Sequence, residues 1–108
     1  MKTSHVIVGT RYNLRPGTYV NVGDKIQLIL EPSNEYDSNA IAIYLRDDKI
    51  GYIKASEAIL LSQYLDDQNI ETTSFIESIT SNCKITIIVY YSEIKIGKPL
   101  SNLVKSNS

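Results

Sequence analysis

The chain has 108 residues, of which 43% are hydrophobic, and this is one domain's worth of sequence with enough apolar side chains for a single modest core. Eleven basic against twelve acidic residues give a formal net charge of −1, which excludes the broad basic surface that non-specific duplex binding requires. No stretch approaches the roughly 20 apolar residues needed to span a bilayer, so a soluble, intracellular protein is expected, with no membrane partner.

In chain order, period-two alternation predicts strands at HVIVGTRY (5–12), KIQLIL (25–30), AIAIYLR (40–46), KIGYIK (49–54) and CKITIIVYY (83–91). His5 opens the first run, where a structural or surface role is favoured over catalysis. Between the third and fourth runs, Arg46-Asp47-Asp48-Lys49 predicts a tight hairpin, although it lacks the glycine that most easily supplies positive φ. Tyr44 continues the alternation and is a core candidate.

ASEAILLSQYLDD follows, and its Ala58, Leu61 and Leu65 recur at helical spacing, flanked by Ile59 and Leu60. Asp66 and Asp67 put the wrong charge at its C-terminus, so the helix should stop near Leu65. NIETTSFIESIT (69–80) is β-branched and forms a further strand candidate, with imperfect alternation. Cys83 is the single cysteine: no intrachain disulfide can form, a structural zinc site is not expected, and a small buried thiol at a strand start is the favoured reading. From Gly97 the sequence is polar and aperiodic, which places a domain over 1–96 and a polar tail or linker over 97–108.

None of GxxxxGK[ST], GxGxxG, HExxH or GxSxG occurs, and the carboxylates Glu31, Asp37, Asp47 and Asp48 have no spacing that specifies acid–base chemistry. The sequence predicts no enzyme, no catalytic residue, no cofactor and no metal. What it does contain is a chemically unusual turn: EPSNEYDSNAIAIY (31–44) sets Tyr36 and Asp37 side by side, where bending the backbone alone needs neither an aromatic ring nor this pairing.

Val8-Gly9-Thr10-Arg11-Tyr12, then the 31–44 stretch, then Lys49-Ile50-Gly51-Tyr52-Ile53, then a helix with Ala58, together resemble the HIRAN domain, over roughly residues 5–68. That family occurs at the N-terminus of helicase-like DNA repair and fork-remodelling proteins and alone in bacteria. The resemblance implies a mainly β fold with one or two helices, a modified OB-like antiparallel barrel with helices at its side, and a pocket for the 3′ end of single-stranded DNA. Barrel closure also removes exposed strand edges while leaving a face and its loops free for an oligonucleotide.

By the same resemblance, Arg11 is a phosphate clamp, Tyr12 a phosphate or base contact, and Asn34, Tyr36 and Asp37 form the N-x-Y-D loop, with Tyr52 and Lys54 completing the DNA-binding set. A selective site for a free 3′ end needs an acceptor for the terminal hydroxyl, donors for phosphates and flat side chains for bases. Asp37 is assigned to the hydroxyl and Tyr36 to stacking, while Asn34, Asp37 and Asn39 are also ordinary turn residues, Asn39 being expected to cap a turn through its own backbone. Gly9 and Gly51 suit close backbone approach.

The sequence departs from the family pattern at Asn13, often an aromatic, and at Ala55, where DNA-binding members carry a second lysine; a late stacking aromatic could correspond to Phe75. Two functions are compatible with these residues. One is a module for single-stranded DNA 3′ ends, cytoplasmic or nucleoid-associated, monomeric, and compatible with a helicase or nuclease partner. The alternative is a protein-interaction or scaffolding module of the same fold with little DNA affinity. Strong DNA binding needs Arg11, Arg15, Lys54 and Lys49 to gather on one face.

Overall fold

Alternation in the apolar segments closes into a barrel. In the computed structural model, which describes residues 1–94, the strands β1 (Lys2–Val8), β2 (Lys25–Leu30), β3 (Ile41–Leu45), β4 (Asp48–Ile53), β5 (Ile70–Ile79) and β6 (Ile85–Glu93) pair antiparallel in the cyclic order β1-β4-β3-β2-β5-β6. The expected mainly β fold with an antiparallel barrel and helices beside it is the one found. The expected tail at 97–108, and the domain boundary after 96, lie outside the described residues.

The inward residues of these strands, among them Ile7, Ile26, Ile43, Ile50, Ile76, Ile87 and Val89, form one buried cluster. Each fully buried aliphatic side chain contributes about 2 kcal/mol by removal from water, so this cluster is the main source of stability. β3 is buried at Ile41, Ala42 and Ile43 alike, whereas Tyr44 is only half-buried. The imperfect alternation of β5 lies in its residue types: burial alternates regularly from Ile70 to Ile76, with the polar Ser74 buried and the apolar Phe75 on the outer side, and beyond the register shift against β6 between Ile76 and Ser78 the strand is exposed.

The hairpin at 46–49 forms as a two-residue turn, with Arg46 itself taking φ 55° in the absence of glycine. The helix α2 (Ala55–Asp66) buries Ala58 and Leu61 and runs one residue past Leu65. Asp67 then takes an extended conformation and accepts the Asn69 backbone N–H at 2.8 Å, an Asx-type stop.

Three expectations need correction. The first strand does not reach Tyr12: it ends at Val8, Gly9 turns left-handed at φ 76°, and Thr10–Asn13 form the single-turn helix α1. Asn13 fastens this turn, its side-chain amide and its backbone N–H both donating to the Gly9 carbonyl, at 2.8 and 3.1 Å. Cys83 is exposed, at φ 65° in the β5–β6 turn, and the strand starts later, at Ile85. Asn39 does not cap the loop through its own side chain; Asp37 accepts from the Asn39 N–H instead.

His5 has a structural place. It is buried, its Nδ1 donates to Glu57 of α2 at 2.6 Å, and its Nε2 meets the Thr3 hydroxyl at 2.8 Å, which also bonds the Tyr91 hydroxyl at 2.6 Å. The network ties α2 to β1 and β6, helped by a tilted Tyr64–Tyr91 ring pair with centroids 5.1 Å apart. Burial pushes the Tyr91 hydroxyl's pKa up, against the opposing effect of its bond with Thr3.

Candidate nucleic-acid interface

The loop joining β2 to β3 is held by its own short polar side chains. The Asn34 carboxamide oxygen accepts the backbone N–H groups of Tyr36 and Asp37, at 2.9 and 3.0 Å. Asp37 Oδ1 accepts the Asn39 N–H at 2.8 Å, and Glu31 N–H donates to the Ala40 carbonyl at 2.9 Å, closing the loop at its base. Side chains that satisfy their own backbone make a loop rigid without burying it. Tyr36 is consequently held out with 90% of its surface exposed.

Beside this loop lies an open cleft of about 550 Å³. Asn34, Tyr36 and Asp37 line one side and Tyr52 another, while Val8, Ala40, Ile53 and Ala55 add apolar lining. β4 and β1 come together here because Gly51 has no side chain: a Cβ at that position would lie 2.3 Å from an Ile7 methyl and 2.7 Å from the Val8 carbonyl.

Four of the predicted residues, Asn34, Tyr36, Asp37 and Tyr52, thus meet in one cleft. Arg11 and Tyr12 do not line it. They are exposed on α1, which packs against β4 and follows directly after Val8 and Gly9. Lys54 is exposed at the N-cap of α2, between the lining residues Ile53 and Ala55. Phe75 is remote, on β5, which is opposite β4 in the barrel order, where its ring meets Tyr90 edge to face at 6.2 Å.

Sequence reasoning missed the role of Glu31 and misplaced that of Lys49. Lys49 Nζ donates to Glu31 Oε2 at 2.8 Å and to the Tyr52 hydroxyl at 2.9 Å, so it is not a free cation for the site. The Tyr52 hydroxyl donates to Glu31 Oε1 at 2.9 Å, which also accepts from Asn34 Nδ2 at 3.0 Å. Partial burial pushes the Glu31 pKa up, yet hydrogen bonds from Lys49, Asn34 and Tyr52 outweigh it and hold the carboxyl below its ordinary value. Lys49 is raised, chiefly by its bond to Glu31 and then by that to Tyr52. No sequence spacing signals this cluster, which joins a loop to a strand across the barrel rim.

Arg11, Arg15 and Lys54 remain exposed, and among the described residues none forms an ion pair. No three of the metal-binding side chains gather among the described residues, and no helix there is long and apolar enough to cross a membrane.

A family model of the HIRAN domain matches residues 3–93, nearly all of the described barrel. The chain belongs to the HIRAN domain family. Among solved structures, the HIRAN domain of human HLTF superposes on it with a TM-score of 0.74 at 21% identity, over 97% of this chain and 87% of that one. A protein from Lactobacillus plantarum superposes with a TM-score of 0.65 at 22% identity, over 82% of this chain and 97% of that one. A search of curated proteins gives no match. At such identities the two structures establish that this HIRAN domain shares their fold.

Proposed function

We propose that this HIRAN domain binds single-stranded DNA at a free 3′-hydroxyl end, with the cleft between the 34–37 loop and β4 as its site. The carrying observation is the pairing of Tyr36, 90% exposed and held through its backbone N–H by Asn34, with Asp37, a lining residue of the cleft whose Oδ1 accepts from Asn39. An ionised carboxylate only accepts hydrogen bonds, so it suits a terminal hydroxyl and repels a phosphate. The exposed ring offers a base a stacking partner worth about 1–3 kcal/mol, and the apolar lining suits a nucleobase. Arg11 and Lys54, exposed near the lining residues, are the cations proposed for the adjoining phosphates, Tyr12 adds a further exposed ring, and the Tyr52 ring face borders the base.

Titration of an end-labelled oligonucleotide against the protein tests this. Tighter binding of the 3′-hydroxyl form than of the same strand with a 3′-phosphate is expected, with little binding to blunt duplex. Equal affinity for the two ends overturns the proposal. One observation favours the protein-interaction alternative: net charge is −1 and Lys49 is already paired, which leaves few cations for phosphates. That alternative predicts no measurable affinity for any of the three DNA forms.

A further inference from the structure

We propose that Glu31 is the positioning residue of the cleft, fixing both of its walls and withholding the charge of Lys49 from DNA; the second half rests on the DNA-end reading above. Glu31 does not itself line the cleft. One oxygen of its carboxylate accepts from Asn34 Nδ2 at 3.0 Å and from the Tyr52 hydroxyl at 2.9 Å, and the other from Lys49 Nζ at 2.8 Å.

The bond to Asn34 has a directional consequence. A carboxamide carries its donors and its acceptor on opposite sides, so engaging Nδ2 turns Oδ1 toward the Tyr36 and Asp37 N–H groups, which it accepts at 2.9 and 3.0 Å. A single half-buried carboxylate therefore orients the loop wall through Asn34 and the strand wall through Tyr52.

The bond to Lys49 acts on selectivity. Its ammonium lies 5.0 Å from the centroid of the Tyr52 ring that lines the cleft, and unpaired it would attract phosphate there. Phosphates are common to internal and terminal positions of every strand, so that attraction is blind to the end. Pairing with Glu31 removes it and leaves discrimination to Asp37.

Two variants separate geometry from charge. Glu31→Ala removes every acceptor, whereas Glu31→Gln keeps a carbonyl oxygen but cannot neutralise Lys49. In DNA-free protein, amide hydrogen exchange at Tyr36 and Asp37 should speed up about fivefold in Glu31→Ala, the equivalent of one lost hydrogen bond, and less in Glu31→Gln. Protection at Ile87 and Val89 in the core reports that each variant is folded.

With labelled oligonucleotides, both variants should lose about fivefold in the ratio of 3′-hydroxyl to 3′-phosphate affinity, and their log–log salt slopes should steepen by about 0.7 as Lys49 takes up a phosphate. Unchanged exchange at Tyr36 and Asp37 in folded Glu31→Ala overturns the positioning role. An unchanged end ratio and salt slope, with wild-type binding intact, overturns the role in selectivity. Wild-type protein that binds neither end overturns the DNA reading and the selectivity role with it, while the exchange data still decide the positioning role.

Discussion

The Asp37 carboxylate serves a turn and, in the proposal, a ligand, and the substitution that separates the two roles is Asp37→Asn. Asparagine keeps an acceptor for the Asn39 N–H, now 2.8 Å from Asp37 Oδ1, but loses the charge that repels phosphate. We expect an unchanged Tm and a reduced preference for the 3′-hydroxyl. Asp37→Ala should lower stability by about 1 kcal/mol as well, since the turn bond is lost. An end preference unaltered in both variants leaves Asp37 as a turn residue only. Tyr36→Ala should instead weaken every single-stranded ligand by a similar factor, because stacking does not depend on the end presented. With 90% of Tyr36 exposed, its loss should leave the unfolding free energy within about 0.5 kcal/mol of wild type. Tyr36 and Asp37 were legible as an unusual pair in one turn, and Asn34 joined them through the resemblance to the family's loop. Glu31 was not, because its meaning depends on Lys49 and Tyr52, which are distant in sequence.

At the scale of elements, the Glu31–Lys49–Tyr52 cluster links the loop to β4 and carries a pH dependence of definite sign. The Glu31 pKa is depressed below its ordinary 4.5, so its contribution to stability is present above that value and disappears as pH falls through the folded-state pKa. Lys49 is raised above 10.5, so its contribution is complete below that value and is lost only in strong alkali. The carboxylate and ammonium side chains are 22% and 30% exposed, which holds the expected loss in Glu31→Gln to about 1 kcal/mol at pH 7. Denaturant unfolding should show this gap at pH 7 and its near disappearance at pH 2; a gap of constant size contradicts the coupling. The contact between β1 and β4 gives a larger effect. Gly51→Ala forces a methyl group against the Val8 carbonyl at 2.7 Å and the Ile7 methyl at 2.3 Å, both in well-packed surroundings. A loss of about 2–3 kcal/mol is expected by urea unfolding, together with weakened binding, since Val8 lines the cleft.

For the molecule as a whole, barrel closure depends on β1, which pairs with β6 on one side and β4 on the other. Deleting residues 1–8 removes both seams and the His5–Glu57 anchor of α2, so loss of cooperative thermal unfolding is expected by circular dichroism. A truncated chain that still unfolds cooperatively at a similar temperature shows that closure is dispensable. Binding should also carry a small salt dependence. With net charge −1 and Lys49 internally paired, about two phosphate contacts from Arg11 and Lys54 imply a log–log slope near −1.4 for single strands. A much steeper slope points to a basic surface beyond this cleft.

By itself the sequence determined the strand-rich class, the helix over residues 55–66 and the crowded turn at 34–37, because two-residue and 3.6-residue periodicities and Asx-type capping are local properties of neighbouring residues. The family was legible for a related reason, since its motif residues are clustered in a few short stretches. Only the tertiary structure decided that Arg11 and Tyr12 sit on a helical turn, because Gly9 can continue a strand or reverse into φ 76° and packing selects between them. The irregular alternation of β5 likewise gained its meaning from the barrel, which buries the polar Ser74 and leaves Phe75 on the outer side. The pairing of Lys49 with Glu31 belongs to the same class: side chains eighteen positions apart meet because β2, β3 and β4 are neighbours in the barrel, and no local pattern encodes that closure.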